Sequence, residues 1–284
     1  MNLYDKTFIG CDSGFDESGL VLFGAPFDGT SSYRPGSRFA ASAMRAAAYS
    51  IETYSPYLDR DLTELKICDL GDLELPFGSA EKTLAAIEDC AGRILDAYKL
   101  PVMIGGEHLV TLGAVRAAAK RFPELRIVHF DAHTDLRQEY LGEALSHATV
   151  MRRCWDILGD GRIFQFGIRS GDKAEFEWAR EHVYLRKYHL FGTEELERDI
   201  GNAPVYFSLD IDVLDPSECP GTGTPEAGGV SFAELLNAFE NISGLNIIGA
   251  DLNELSPPYD PSGISVSLGC KLLREMLLTI SDAP

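Results

Sequence analysis

Ile127-Val128-His129-Phe130-Asp131-Ala132-His133-Thr134-Asp135 is the stretch from which the fold can be read. A short run, apolar but for His129, leads straight into three ligand-type side chains spaced two apart. A run this short without polar alternation predicts a strand buried on both faces, as in the interior of a parallel sheet. Similar runs occur at 20–23, 67–70, 102–104, 163–168, 183–185, 205–209 and 246–250. Amphipathic segments that suit helices lie at 39–48, 79–98, 109–121, 146–158, 173–180, 194–200, 232–241 and 264–280. Strand and helix alternating in this way predict an α/β protein with a mostly parallel sheet covered on both faces. No repeat, linker or low-complexity segment interrupts the pattern, and a single α/β domain of this length buries a large core. One domain, 1–284, is the expectation.

In open parallel sheets, ligands bind beyond the carboxyl ends of the strands. Three strand ends here carry concentrated chemistry: Gly105-Gly106-Glu107-His108, Asp131-Ala132-His133-Thr134-Asp135, and Ser208-Leu209-Asp210-Ile211-Asp212. In an extended chain, residues two apart share a side, so Asp131, His133 and Asp135 would face one centre, as would Asp210 and Asp212. A single aspartate after a strand is ordinarily a turn residue or a cap. Two alternating acidic motifs and a histidine at a third strand end are not ordinary. Four carboxylates gathered there repel one another unless cations lie between them, and carboxylate with imidazole suits manganese better than a structural zinc. Iron, nickel, cobalt and zinc stay open. His129, inside an apolar strand, reads as core, while His182 and His189 have no motif around them.

Composition sets wider limits. Acidic residues outnumber basic ones, 44 to 25, for a formal charge of −19. Such a field repels nucleic acid and anionic membrane and attracts cations; solubility alone would account for it. No apolar run is long enough to span a bilayer, and the first six residues lack the basic and apolar stretches of a secretion signal. The six cysteines (Cys11, Cys68, Cys90, Cys154, Cys219 and Cys270) are scattered, which suits free thiols in a reducing compartment. A cytoplasmic protein is expected.

Over nearly its whole length the chain resembles the ureohydrolases, the arginases, agmatinases and their relatives. The three strand-end motifs are similar to that family's metal motifs, in order, and the third continues in the family's manner as Val213-Leu214-Asp215-Pro216-Ser217-Glu218-Cys219-Pro220-Gly221, with Gly229 beyond. The resemblance implies a three-layer α/β/α sandwich with a sheet of about eight strands, and two manganese ions per subunit. One ion would take His108, Asp131, Asp135 and Asp210. The other would take Asp131, His133, Asp210 and Asp212, with a hydroxide shared between the ions as nucleophile. It further implies that Glu254, in Asp251-Leu252-Asn253-Glu254-Leu255-Ser256-Pro257, binds the guanidinium, and that His147, in Ser146-His147-Ala148-Thr149, protonates the departing amine. Relatives assemble as trimers or hexamers, so a homo-oligomer is expected on the same ground.

The loop 136–145 lacks the Asn, Thr and Ser run with which arginases hold an amino-acid end. Together with Asp28-Gly29-Thr30-Ser31-Ser32-Tyr33-Arg34-Pro35-Gly36-Ser37-Arg38-Phe39, it resembles agmatinases, which implies hydrolysis of agmatine to putrescine and urea. Acidic candidates for the substrate's far ammonium are Glu139, Glu143 and Glu226. Guanidinobutyrate, aminopropylagmatine, formimidoylglutamate and arginine remain alternative substrates, since Arg34, Arg38 and Arg137 could serve an acidic tail. A catalytically inactive homologue binding a polyamine or metal is the reading from another class. Loss of a ligand, His147 or Glu254 would favour it, and none is missing.

Overall fold

The computed structural model describes residues 7–281. The first six residues, which carry the expected absence of a secretion signal, and the last three lie outside the described residues. All eight expected strands form. In chain order the strands are β1 (Leu20–Gly24), a small antiparallel hairpin of β2 (Tyr54–Ser55) and β3 (Arg60–Asp61), β4 (Ile67–Asp72), β5 (Leu100–Ile104), β6 (Arg126–Phe130), β7 (Ile163–Ile168), β8 (Tyr184–Lys187), β9 (Val205–Asp210) and β10 (Ile247–Asn253). Apart from the hairpin they make one sheet, ordered β4-β1-β5-β10-β9-β6-β7-β8, in which every neighbouring pair is parallel.

The helices are α1 (Ala40–Ala47), α2 (Ala80–Asp96), α3 (Thr111–Arg121), α4 (Val150–Leu158), α5 (Lys173–His182), α6 (Leu196–Ile200), α7 (Phe232–Ile242) and α8 (Ile264–Ile280). They divide between the two faces of the sheet, and the strand side chains divide with them. Leu20, Leu22, Val102, Ile104, Val128, Phe130, Phe207 and Leu209 join one core with α1, α6, α7 and α8. Val21, Phe23, Met103, Ile127 and Tyr206 join the other with α2, α3, α4 and α5. That is the two-residue period of a strand feeding two covering layers, and it is why the inner strands look apolar throughout. The edge strands β4 and β8, covered less well, are only partly buried.

Most element ends shift by a few residues from expectation, and two departures have a physical reason. The hairpin of β2 and β3 is not foreseeable, because two residues per strand carry no period. Strand β10 runs on to Asn253, where the polar Asp251 and Asn253 read as loop. Their side chains are satisfied inside: the Asp251 carboxylate accepts from Tyr206 (2.8 Å), Ser208 (2.7 Å), Thr111 (2.9 Å) and Asn253 (2.7 Å). Tertiary hydrogen bonds here override the local preference. The sheet order is what positions the chemistry. Strands β5, β10, β9 and β6 are neighbours at the middle of the sheet, and the residues just beyond each of them are those singled out above.

Candidate metal centre and substrate cavity

His108 begins a short turn after β5, and its ring is fixed from behind. Nε2 lies 2.9 Å from the Ser208 hydroxyl, itself bonded to Asp251, so Nδ1 faces the other way. Nδ1 stands 3.0 Å from Asp131 Oδ2, 3.1 Å from Asp210 Oδ2 and 3.4 Å from Asp135 Oδ2. On the far side of Asp131, His133 Nδ1 lies 3.5 Å from Oδ1 and 2.9 Å from Asp212 Oδ2. The six residues therefore surround one centre, with the two oxygens of Asp131 facing the two imidazoles in turn.

The chain reaches this arrangement by a different route from continuous strand alternation. Asp135 needs a left-handed backbone, φ 52°, and Asp212 sits in a short helical turn (Ile211–Val213) whose amide donates to Asp210 at 2.8 Å. The strands end at Ile104, Phe130 and Asp210, so loop geometry has to turn the ligand-type residues beyond them inward. Glu254 also has a left-handed φ, 64°. Strained non-glycine residues of this kind persist where the surroundings fix them, and they gather at functional sites.

A group of four carboxylates this deep is electrostatically frustrated. Asp131, Asp135, Asp210 and Asp212 are all buried. Burial, then the charges of neighbouring aspartates, pushes Asp135 and Asp210 well above the usual carboxylate range. Burial alone would lower His108 and His133, but the carboxylates around them outweigh it and raise both. His108 Nδ1 and Asp212 Oδ2 are buried without a hydrogen-bond partner. Divalent cations would answer both conditions at once, cancelling the repulsion and taking up the orphaned donor atoms. The residues present fit such ions.

His129 lies near enough to be mistaken for a ligand. His108, His129 and Asp131 form one possible cation-binding triplet, and Asp131, His133 and Asp212 another. The Gln165 amide nitrogen excludes His129 from the first. It donates to the Thr134 carbonyl (2.7 Å) and to His129 Nδ1 (3.0 Å), which puts the ring proton on Nε2, where it donates to Asp131 Oδ2 at 2.8 Å. Both nitrogens are then committed. His129 is core, as expected, and it also aims Asp131.

Two further residues face the centre. Glu254 follows β10; its Oε1 accepts the His108 amide at 2.7 Å, and burial, then the charge of Glu107, raises its pKa to about 8. His147 opens the turn before α4. Its Nε2 is 3.3 Å from the Ser32 hydroxyl, its ring meets Tyr140 edge-on at 5.6 Å, and burial, then His133, lowers its pKa to about 4. Both residues line a cavity of about 280 Å³ together with His108, His133, Asp135 and Asp210.

The arginase family profile matches residues 18–279. The chain is 48% identical over 278 residues to an agmatinase of Bacillus cereus, covering 96% of each. It is 36% identical over 279 residues to a guanidinobutyrase of Pseudomonas aeruginosa, covering 93% of this chain and 87% of that one. Among solved structures, the agmatine ureohydrolase of Thermoplasma volcanium superposes with a TM-score of 0.90 at 35% identity, over 99% of this chain and 96% of the other.

The chain belongs to the arginase family.

As an arginase-family ureohydrolase it is an enzyme, and its three-layer architecture is that of its structural neighbours. The outer wall of the cavity is where the sequence is less informative. Glu139 and Glu143 are exposed and do not line it. Glu226 stands just behind it, accepting from Ser170 at 2.9 Å. The acidic groups on the wall are instead Asp172 and Glu175, beside Arg137, Tyr140 and Thr224. Asp172 and Glu175 carry a local signal that suggests only a helix start. They cap α5 reciprocally, Glu175 N–H to Asp172 at 3.2 Å and Asp172 N–H to Glu175 at 2.8 Å. Nothing in the sequence shows that this cap also borders the cavity. Among the described residues, no helix is long and apolar enough to cross a membrane.

Proposed function

We propose that residues 1–284 form one ureohydrolase domain that hydrolyses agmatine to putrescine and urea. His108, Asp131, Asp135 and Asp210 would hold one manganese ion, and Asp131, His133, Asp210 and Asp212 a second, with Asp131 and Asp210 shared. Bound there, the two ions supply an acidified water poised for attack.

The observation that carries the reading is Glu254, a buried carboxylate whose Oε1 is fixed by the His108 amide at the edge of the centre. A guanidinium pairs with a carboxylate through parallel N–H groups, which sets its central carbon over the ligand cluster. Binding a cation also offsets the burial and the Glu107 charge that raise the Glu254 pKa, since the ionised form then has a partner. Burial keeps His147 neutral at rest, so it works as a proton carrier. It takes the proton released as water adds to the guanidinium carbon and delivers it to the departing amine, leaving urea and putrescine.

Four relatives named agmatinase, from Bacillus and Halalkalibacterium, are 44–48% identical to the chain, whereas the guanidinobutyrase is 36% identical. Arg137 on the cavity wall favours a second reading, a substrate with an acidic tail. Its charge is already engaged, however: Nε lies 3.4 Å from Glu175, the guanidinium is 3.8 Å from Asp172, and it stacks on Tyr140. The free thiols of all six cysteines suit a cytoplasmic location, and the resemblance to the family supports a homo-oligomer.

Urea release should be measured on agmatine, arginine and guanidinobutyrate, with and without manganese. Manganese-dependent turnover fastest on agmatine is expected. Faster turnover of either other compound overturns the substrate, and no urea from any of them leaves aminopropylagmatine, formimidoylglutamate or the inactive homologue.

A further inference from the structure

Glu107 is fully buried, yet it is neither one of the six residues around the centre nor on the cavity wall. A carboxylate so placed needs donors, and one loop provides three of them. Thr30 N–H donates to Oε2 at 2.8 Å, Ser31 Oγ donates to Oε2 at 3.2 Å, and the Thr30 hydroxyl donates to Oε1. The loop is closed on itself at Asp28, whose Oδ2 accepts from the Gly36 amide at 2.7 Å and whose other oxygen pairs with Arg38. Its root is pinned as well, because the Glu107 amide donates to the Phe27 carbonyl at 2.7 Å. A Cβ on Gly106 would come within 1.9 Å of that same carbonyl oxygen, so the close approach requires glycine there.

A threonine hydroxyl has one proton. With that proton committed to Glu107, the oxygen can only accept from other neighbours, and the His147 backbone N–H reaches it at 3.1 Å. Beyond its edge contact with Tyr140, the imidazole has little polar support: Nδ1 is buried without a partner and Nε2 has the single contact with Ser32 at 3.3 Å. Ser32 belongs to the same loop.

We propose that Thr30, anchored on the buried carboxylate of Glu107, is a positioning residue for His147, its hydroxyl fixing where that histidine's backbone and ring stand over the reaction centre. The inference rests on the reading of His147 as the proton carrier. Thr30 is not on the cavity wall; it acts through the histidine.

The test is steady-state kinetics of the manganese-loaded enzyme on agmatine for T30V, T30S, H147A and T30V/H147A. Valine keeps the shape and removes both hydrogen bonds. Displacing a catalytic group by about an ångström costs up to about 100-fold, so T30V should lower kcat by roughly 30- to 100-fold with KM changed less than about threefold. Serine restores the hydroxyl and should bring kcat back to within about threefold. On the H147A background, T30V should cost less than about threefold, because the group it positions is gone.

Equal losses from T30V in both backgrounds, or a T30S variant as poor as T30V, overturn the positioning role alone. Full activity of H147A overturns the proton-carrier reading and this inference with it. A crystal structure of T30V adds a readout apart from activity: the His147 ring should move while the six centre residues stay. An unmoved ring also overturns the proposal. If T30V does not fold, E107Q replaces it in the same cycle, with the same non-additivity expected and additive losses counting against the proposal.

Discussion

Glu254 and His129 are each held by specific hydrogen bonds, and the part proposed for each can be tested by itself. Replacing Glu254 by Gln keeps the size and the acceptor for the His108 amide but removes the charge that a guanidinium needs. Charge-assisted bidentate pairs are about twice as strong as neutral ones, and kcat/KM for agmatine should fall by roughly 100-fold or more. Unchanged kcat/KM would mean that the guanidinium lies elsewhere. His129 donates to Asp131 from inside the core. Partners that orient a metal-binding carboxylate typically contribute 10- to 100-fold in metal affinity. We expect His129→Phe, which fills the space and deletes the bond, to weaken manganese binding by about that factor in a calorimetric titration. An affinity equal to that of the parent would reduce His129 to packing.

Among the elements, the loop between the turn at Ile211–Val213 and α7 carries Thr224 and Glu226 past the cavity. It is tied at its base by Asp215, which accepts from Ser217 and from the Gly228 and Gly229 amides at 2.8 and 3.1 Å. Those bonds, the Ser217 hydroxyl first, lower the Asp215 pKa to about 2. The folded value lies below that of an unfolded aspartate, about 3.9. The stabilisation is therefore complete above about pH 4 and is lost as pH falls toward 2. Asp215→Asn should lower Tm by roughly 2–4 °C at pH 6, and the gap to the parent should close between about pH 4 and about pH 2. A gap that stays constant over that range would show that the carboxylate's charge does not hold the loop.

Across the whole molecule, four buried carboxylates make the metal-free fold a strained one. Ions that bind only the folded state stabilise it by mass action, about 2.7 kcal/mol per ion at a hundredfold excess over Kd. Dialysis against a chelator should lower Tm by roughly 5–10 °C, and manganese should restore it in a scanning fluorimetry titration. If the melting curve ignores both treatments, the centre is not a cation site.

How much of this was legible beforehand depended on the range of the interaction. The eight strands were legible because each is a local apolar run, and the central ligand-type residues because two acidic motifs repeat at spacing two after such runs. The reach of β10 through Asp251 and Asn253, the hairpin of β2 and β3, and the cavity wall at Asp172 were not. The hairpin is too short to carry a period, and the other two depend on partners that are distant along the chain, such as the hydroxyls of Tyr206, Ser208 and Thr111 that satisfy Asp251.

The amino-acid sequence by itself determined the parallel α/β layering and which ligand-type side chains stand at the strand ends, because both follow from periods of a few residues. Only the tertiary structure decided that β5, β10, β9 and β6 stand side by side and that His129 aims Asp131 rather than binding a cation. It likewise decided that Glu107 reaches His147 through Thr30. Strand order and the partner of a buried hydrogen bond are set by packing between segments tens of residues apart, and no local pattern encodes them.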